Sequence, residues 1–436
     1  MENITEAFIS GLIYKSQTTS NKVMVQSRKV LLDYLGVVVG GTKYIEEKCP
    51  KLLEFSPSDS FLKGFAAHVL ELDDGHRKGM IHLGASIISA ILEIAEKEKL
   101  SSSDVQRGII MGYEAAIRCA CSIQPGHKIR GYHVSGTCGT IGSAMGIAFA
   151  CNYNKEQLKS TLACAVSSAA GVLEIQEQAS ELKPYNIGRA ILDGILAAQI
   201  GKLAIPGPDD ILGGKRGFLA TLTNTPKQEY LTDFTGEEFF IESIYQKVHA
   251  ACRHCHPAID ATIELRNSNY IRPEQVDKID VHTYKLAVGS HDHTLIQGIS
   301  SAKLSTPYSV ALALVKGSVG FSDFNEANLD DNTIIQLTKK VNVIEDDNLT
   351  AHSPTVRGAH VSIYLQDGSL IETSCLYPKG EPENPLSDME LENKFRGLAI
   401  YGGMASKECN DVINELRKNE FDINKILVIV CRKQLS

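Results

Sequence analysis

The stretch Gly131–Ala144 reads GYHVSGTCGTIGSA and runs on into an apolar segment that ends near Ala150. Gly, Ser, Thr and Ala dominate it. Small side chains let backbones approach closely, so a tightly buried helix is expected here. Gly136, Gly139, Gly142 and Gly146 do not follow the G-x-G-x-x-G spacing, and no strand precedes them. They read as helix-packing glycines rather than a nucleotide loop. Tyr132 and His133 stand at the mouth of this helix. A histidine presented there is well placed for proton transfer.

The chain around this helix has 436 residues, 43% hydrophobic and 22% charged, with a net charge of -8. That is ample for a large core and for two domains. There is no Lys/Arg block, which argues against nucleic acid as a partner. The longest apolar runs, such as Ile87 to Ala95, are too short to span a bilayer. The N-terminal MENITEAFISG lacks a basic region followed by a long apolar core, so no secretory signal is expected. Eleven cysteines is an odd number, and Cys119, Cys121 and Cys164 fall on apolar helical faces. Reduced thiols in a cytoplasm fit this better than a disulfide framework.

Residues 1 to about 250 read as mostly helix. Ser20–Val39, Gly84–Lys97, a helix to about Ser122 capped by Ser103 or Asp104, Thr137–Ala150, Lys155–Ala170 and Asn186–Leu203 are the expected segments. Their Ala, Gly, Ser and Cys content suggests a closely packed bundle. The pattern then changes. Val276–Tyr284 alternates like a half-buried strand, Tyr308–Val315 is helical, and Val341–Ile344 is a further strand candidate. His360–Leu365 and Leu370–Cys375 flank Asp367-Gly368, a hairpin signal. The PKGEPENP stretch at 378–385 reads as a linker, and 387–418 returns to helix. The fold expected is mainly α, a large all-helical domain with a smaller α+β domain. The boundaries are 1–248 for the helical part, 249–382 for the α+β part and 383–436 for the return to the helical domain.

Three further stretches carry chemistry. Leu72–His82, LDDGHRKGMIH, holds Asp73, Asp74, His76 and His82. Such a mixture suits a metal or acid–base work, or the acid pair simply caps the loop. No tight i, i+4 histidine pair supports the metal. Lys183-Pro184 precedes Asn186-Ile187-Gly188 at a helix break. Lys183 is then either a carboxylate anchor or proton-transfer group, or a solvated surface lysine. Lys247–Pro257 reads KVHAACRHCHP. Its C-x2-C has no second pair, so a zinc ribbon is not expected. The alternative is a cationic cluster of Lys247, Arg253, His254 and His256 for a polyanionic small molecule. Between Gly207 and Phe218, GPDDILGGKRGF is a polar loop whose Lys215 and Arg216 either cover a site or are solvated.

In order along the chain, HVLELDDGH, GYHVSGTCGTIGSA, LKPYNIGRA, GPDDILGGKRGF, KVHAACRHCHPAIDA and AKLSTPYSVALAL resemble the 2-methylcitrate dehydratase / cis-aconitate decarboxylase family, MmgE/PrpD. The resemblance covers nearly the whole chain. It implies a helical domain plus an α+β lid, a homodimer, and no metal or organic cofactor. It places His82 and His133 at the family's histidine positions, Lys183 and Lys247 at its lysines, Asp73 and Asp74 at its acidic pair, and Tyr308 at its lid tyrosine. The first loop departs from the family pattern: Gly75 stands where relatives often have Thr, and Glu71 where the decarboxylases have Asp. Tyr132 stands where phenylalanine is common. The activity implied is a hydro-lyase of a small hydroxylated di- or tricarboxylate such as 2-methylcitrate, by proton abstraction next to a carboxylate. His133 would be the leading acid/base with His82 assisting, and Lys183, Lys247 and Arg253 would hold the carboxylates. Alternatives are epimerisation of an iminodisuccinate by Lys183 and Tyr132, decarboxylation of cis-aconitate, and an inactive carboxylate-binding relative.

Overall fold

The computed structural model describes residues 3–54, 58–177, 180–289 and 291–431. The chain divides into two compact units. The first comprises Met1–Ile175, Leu182–Tyr245 and Ser387–Ser436, and the second Gln176–Glu181 and Gln246–Leu386. None of the described helices is long and apolar enough to cross a membrane. Among the described residues no disulfide joins the cysteines.

The helix Val134–Ala150 is the axis of the first unit, and every one of its residues is buried. It packs against Gly84–Lys97, Ser102–Ile123, Lys155–Ser168 and Tyr185–Gly201. The glycines set the closeness of the approach. A Cβ on Gly142 would lie 2.7 Å from both Ala116 and Ile87 and 3.0 Å from the Gly112 carbonyl. A Cβ on Gly112 would lie 2.9 Å from the Gly142 carbonyl, and one on Gly146 would lie 3.1 Å from that of Gly108. Two helices thus meet backbone to backbone at paired glycines four residues apart, where any side chain would force them apart.

Local signals set the helix ends. Ser20 caps Asn21–Lys48 through the Val23 N–H. Ser101, not Ser103 or Asp104, caps Ser102–Ile123. Asp104 instead accepts from the Ser101 N–H at 3.1 Å, closing a capping box that satisfies two otherwise orphaned donors. The return segment forms Asp388–Tyr401, Ser406–Leu416 and Ile423–Cys431. The first of these lies along Asn21–Lys48, with Phe395 over Gly36 and Leu398 over Gly40. Helices that the sequence reading did not name include Ile4–Gln17, Asp59–Val69 and, in the second unit, His256–Asn269.

The second unit is α+β. Its sheet has the order β2-β1-β3-β4, from β1 (Val276–Thr283), β2 (Val341–Glu345), β3 (Ala359–Leu365) and β4 (Leu370–Cys375). β1 and β2 are parallel, so a crossover must join them, and Thr306–Lys316 lies in it. β3 and β4 form the hairpin at Asp367-Gly368, with Gly368 at φ +86°. The stretch read as a linker is packed instead. Glu381 is buried and receives the Arg253 guanidinium at 2.9 and 2.6 Å, while the Lys379 N–H donates to Asp260 at 2.6 Å. Proline and glycine here shape a tight, anchored turn rather than a solvated connection.

One substitution type tests the packing in both directions. Gly142→Ala places a methyl between two helices and should destabilise by about 1–3 kcal/mol, overriding its helix-propensity gain. Gly397, inside Asp388–Tyr401, has open space around its would-be Cβ. Gly397→Ala should stabilise by about 0.5–1 kcal/mol. Urea midpoints moving in the same direction for both would contradict this account.

Candidate active site

The site is built on the loop between Asp59–Val69 and Gly84–Lys97. Glu71 takes a left-handed conformation, φ +56°, which turns the chain out of the first helix. Gly75 exchanges backbone hydrogen bonds with Tyr245 at 3.1 and 2.8 Å. A Cβ on Gly75 would meet the Tyr245 hydroxyl at 2.4 Å and the Ile81 carbonyl at 2.8 Å. The glycine is therefore dictated by the close approach of Tyr245. His76 turns inward, accepting the Gly79 N–H at 3.1 Å with its ring edge-on to Phe240. It serves the loop's own structure. From the return segment, Lys394 pairs with Asp33 at 2.6 Å and donates to the Leu72 carbonyl at 2.8 Å.

Asp73 is the electrostatic centre. It is buried, and its Oδ2 receives His68 Nδ1 at 2.7 Å and His82 Nδ1 at 3.2 Å. Burial opposes ionisation, but the two imidazoles outweigh it and hold this carboxyl well below the usual range. His82 Nδ1 also faces the Asp74 carbonyl at 3.1 Å, and its backbone N–H donates to Ser135 Oγ at 3.0 Å. With acceptors on Nδ1, that nitrogen carries the proton and Nε2 keeps a lone pair. The ligand atoms of His68, Asp73 and His82 lie within 4.8 Å of one another. Both imidazoles meet the same oxygen of the carboxylate, Oδ2.

His133 sits at the N-cap of Val134–Ala150, fixed by its N–H to the Gly171 carbonyl at 3.0 Å. Its ring lies 6.5 Å from that of His68, which is 4.8 Å from that of His82. Asn186 Nδ2 lies 3.0 Å from His133 Nδ1 and also reaches the Val172 carbonyl. An amide nitrogen only donates, so His133 Nδ1 accepts and the neutral ring carries its proton on Nε2. Burial, followed by the charges of Lys183, His68 and His82, pushes this imidazole well below its ordinary range. Lys183, immediately before Pro184 at the start of Tyr185–Gly201, forms an ion pair with Glu71. Both side chains are largely buried.

Of the residues singled out in the sequence, Asp73, Asp74, His82, His133 and Lys183 thus lie in the first unit around one histidine cluster. Tyr132 is half-buried and stacks on His127 at 4.9 Å. Lys247, Arg253, His254 and Tyr308 belong to the second unit. Lys247 is fully buried. Arg253 is clamped by Glu381 and reaches His256 Nδ1 at 2.9 Å. His254 Nδ1 meets the Tyr284 hydroxyl at 2.6 Å. Tyr308 is buried in the helix Thr306–Lys316, and its hydroxyl has no hydrogen-bond partner among the described residues. Lys215 and Arg216 are exposed, while Asp210 of the same loop caps the first helix through the Ile4 and Thr5 N–H groups. Sequence reasoning missed His68, the Glu71 partner of Lys183, and Asn186. His68 carried a signal, standing five residues ahead of Asp73 in a motif already of interest.

Asp74 differs from its neighbour. It accepts the Tyr113 hydroxyl at 2.6 Å and the Gly84 N–H at 2.8 Å. Burial dominates these bonds and raises its carboxyl from 3.8 to about 7, with Asp33 and Asp73 adding to the effect. A carboxyl raised in the fold contributes stability that is present at low pH and is lost as pH climbs through the folded value. Asp74→Asn should therefore flatten the fall in melting temperature between pH 4 and about 7. An unchanged slope would show that another group sets it.

The MmgE/PrpD N-terminal domain matches residues 55–231, and the MmgE/PrpD C-terminal domain matches residues 249–418. Cis-aconitate decarboxylase of Homo sapiens is 23% identical, covering 98% of this chain and 94% of its own. The Mus musculus enzyme of the same name is 23% identical, over 95% and 90%. Cis-aconitate decarboxylase-like protein oryM of Aspergillus oryzae is 25% identical, over 78% and 75%. With both domains matched in order along most of its length, the chain belongs to the MmgE/PrpD family.

Proposed function

We propose that the chain is a cofactor-independent hydro-lyase of a small hydroxylated di- or tricarboxylate, working in the cytoplasm as a homodimer as the family resemblance implies. The observation that carries the reading is the opposite tautomers of two imidazoles flanking His68. His82 offers a lone pair on Nε2, and His133 offers an N–H. A β-elimination uses both. His82 takes the proton from the carbon beside a carboxylate, and the electron pair moves onto that carboxylate. The Lys183 ammonium and the His133 N–H hold the charge that develops there. His82 then returns its proton to the β-hydroxyl, which leaves as water, and the alkene and neutral His82 result. Proton transfer thus falls to His82 rather than to His133. A neutral imidazole whose lone pair is engaged by Asn186 is a poor base and a good donor.

Glu71 tunes this site. In the resting protein it neutralises Lys183, so an anionic substrate competes with a fixed carboxylate for the lysine. The competition favours the state with the greater charge on the substrate oxygen, which is the carbanion-like one.

Decarboxylation of a cis-aconitate-like acid is the second reading, favoured by the names of the three relatives. Loss of one carboxylate as CO2 leaves an electron pair that a remaining carboxylate shares, the same donors would hold that charge, and a proton from water then completes the product.

Incubation with 2-methylcitrate, citrate, cis-aconitate and iminodisuccinate in deuterium oxide separates the readings. New alkene absorbance is expected for dehydration, gas release for decarboxylation, and deuterium uptake without either for epimerisation. No reaction with any of the four would overturn the proposal. His82→Ala should lower kcat by about 10²–10⁴-fold. His133→Ala should cost about a hundredfold, ~3 kcal/mol, and His133→Gln, which keeps an N–H, should recover part of that loss. Equal loss in both His133 variants would instead make it the proton carrier.

A further inference from the structure

The C-x2-C of the second unit is not a pair. Cys255 is fully buried and accepts the Thr306 hydroxyl at 3.4 Å. Cys252 meets histidines instead. Its Sγ lies 3.7 Å from His291 Nε2, and the ring of His254 stacks on that of His291 with centroids 4.9 Å apart. One ligand atom from each of the three residues lies within 4.8 Å of the others. We propose that Cys252, His254 and His291 form a three-ligand site for a divalent transition ion that prefers thiolate and imidazole, zinc by ligand class. The inference is independent of the proposed lyase activity.

Spacing supports it first. Zinc takes sulfur at about 2.3 Å and nitrogen at about 2.0–2.1 Å in a tetrahedral set, which puts the two donors roughly 3.6 Å apart. The Cys252–His291 separation is already at that value. The outer partners support it next. His291 Nδ1 faces the Leu304 carbonyl at 2.9 Å and must donate to it, which leaves the Nε2 lone pair for the ion. His254 Nδ1 lies 2.6 Å from the Tyr284 hydroxyl, and in the tautomer that donates to that oxygen Nε2 is the ligand atom. Both ring orientations are therefore fixed from behind, as metal-bound imidazoles are.

The backbone is anchored as well. The Cys252 N–H donates to the Lys303 carbonyl at 2.8 Å, and the Thr306 N–H to the His291 carbonyl at 2.8 Å. The nearby Arg253 charge is compensated by Glu381 at 2.6 Å. Binding would release the Cys252 thiol proton to solvent and leave one coordination position for water or a carboxylate. The rival account is a plain S–H···Nε2 hydrogen bond.

Cobalt(II) discriminates between them. The purified full chain, stripped with chelator, is titrated with Co²⁺ while thiolate-to-cobalt charge-transfer absorption is followed. One saturable site per chain is expected, displaced by Zn²⁺. Cys252→Ser should abolish the band, and His291→Ala and His254→Gln should each weaken Co²⁺ binding by on the order of 100-fold. Cys255→Ser and His82→Ala should leave the band intact, the second because the cluster at Asp73 has no sulfur ligand. Melting curves check that each variant folds. Absence of a saturable band, or its persistence in folded Cys252→Ser, would leave the hydrogen-bonded account standing and overturn the metal site.

Discussion

A single buried carboxylate governs the first unit. Asp73 is 4% exposed, and an isolated charge at that depth would be very costly. Two imidazoles donating to one of its oxygens relieve the cost and in doing so fix their own tautomers. The constraint spreads outward. His68 must sit at the end of its helix, and the chain must turn at once, through the left-handed Glu71, to bring Asp73 back. His82 must return to the same carboxylate nine residues later, which requires the tight strand-like crossing at Gly75 and Tyr245. The same turn aims Glu71 at Lys183. Position, charge state and proton placement at the site all descend from keeping that one group ionised.

The small-residue helix makes this arrangement possible at short range. Ser135, in its first turn, accepts the His82 N–H, and His133 caps the same turn. Because Gly136 and Gly142 carry no side chain, neighbouring backbone lies close enough for such contacts; a Cβ on Gly136 would sit 2.8 Å from the Ala170 carbonyl. Packing density and site geometry are one property here. A bulkier helix would separate the histidines before it changed any of them.

This division explains what could be read from sequence. The glycine spacing announced Val134–Ala150, and the alternation at 276–284 announced the central strand of the sheet, because both signals are local. The Asp73, Asp74 and His82 loop was visible for the same reason. Asn186 was not, since its meaning depends on a histidine 53 residues earlier. Glu71 was noted only as a departure from the family, yet it is the partner of a lysine 112 residues on. Cys252 was legible only as half of a C-x2-C that lacks a second pair, while its neighbour in space is a histidine 39 residues away. Periodicity reports burial, but it carries no record of which polar groups must satisfy one another across the core.

The two adjacent acids show why residue type alone cannot assign a role. Asp73 and Asp74 are chemically identical and equally buried, at 4%. Asp73 faces groups that become positive, whereas Asp74 faces a phenol and a backbone N–H, with two other carboxylates nearby. The donors to Asp74 offset only part of its desolvation, whereas the two imidazoles outweigh that of Asp73. One acid therefore stays ionised to orient imidazoles, while the other titrates near 7 and ties the loop to Gly84 at the start of the next helix. Asp74 also lends its carbonyl to His82, so the backbone of the acid that titrates helps fix the tautomer on which the proposed base depends. Had the two acids exchanged surroundings, the sequence would read the same and the imidazoles would lose the charge that orients them.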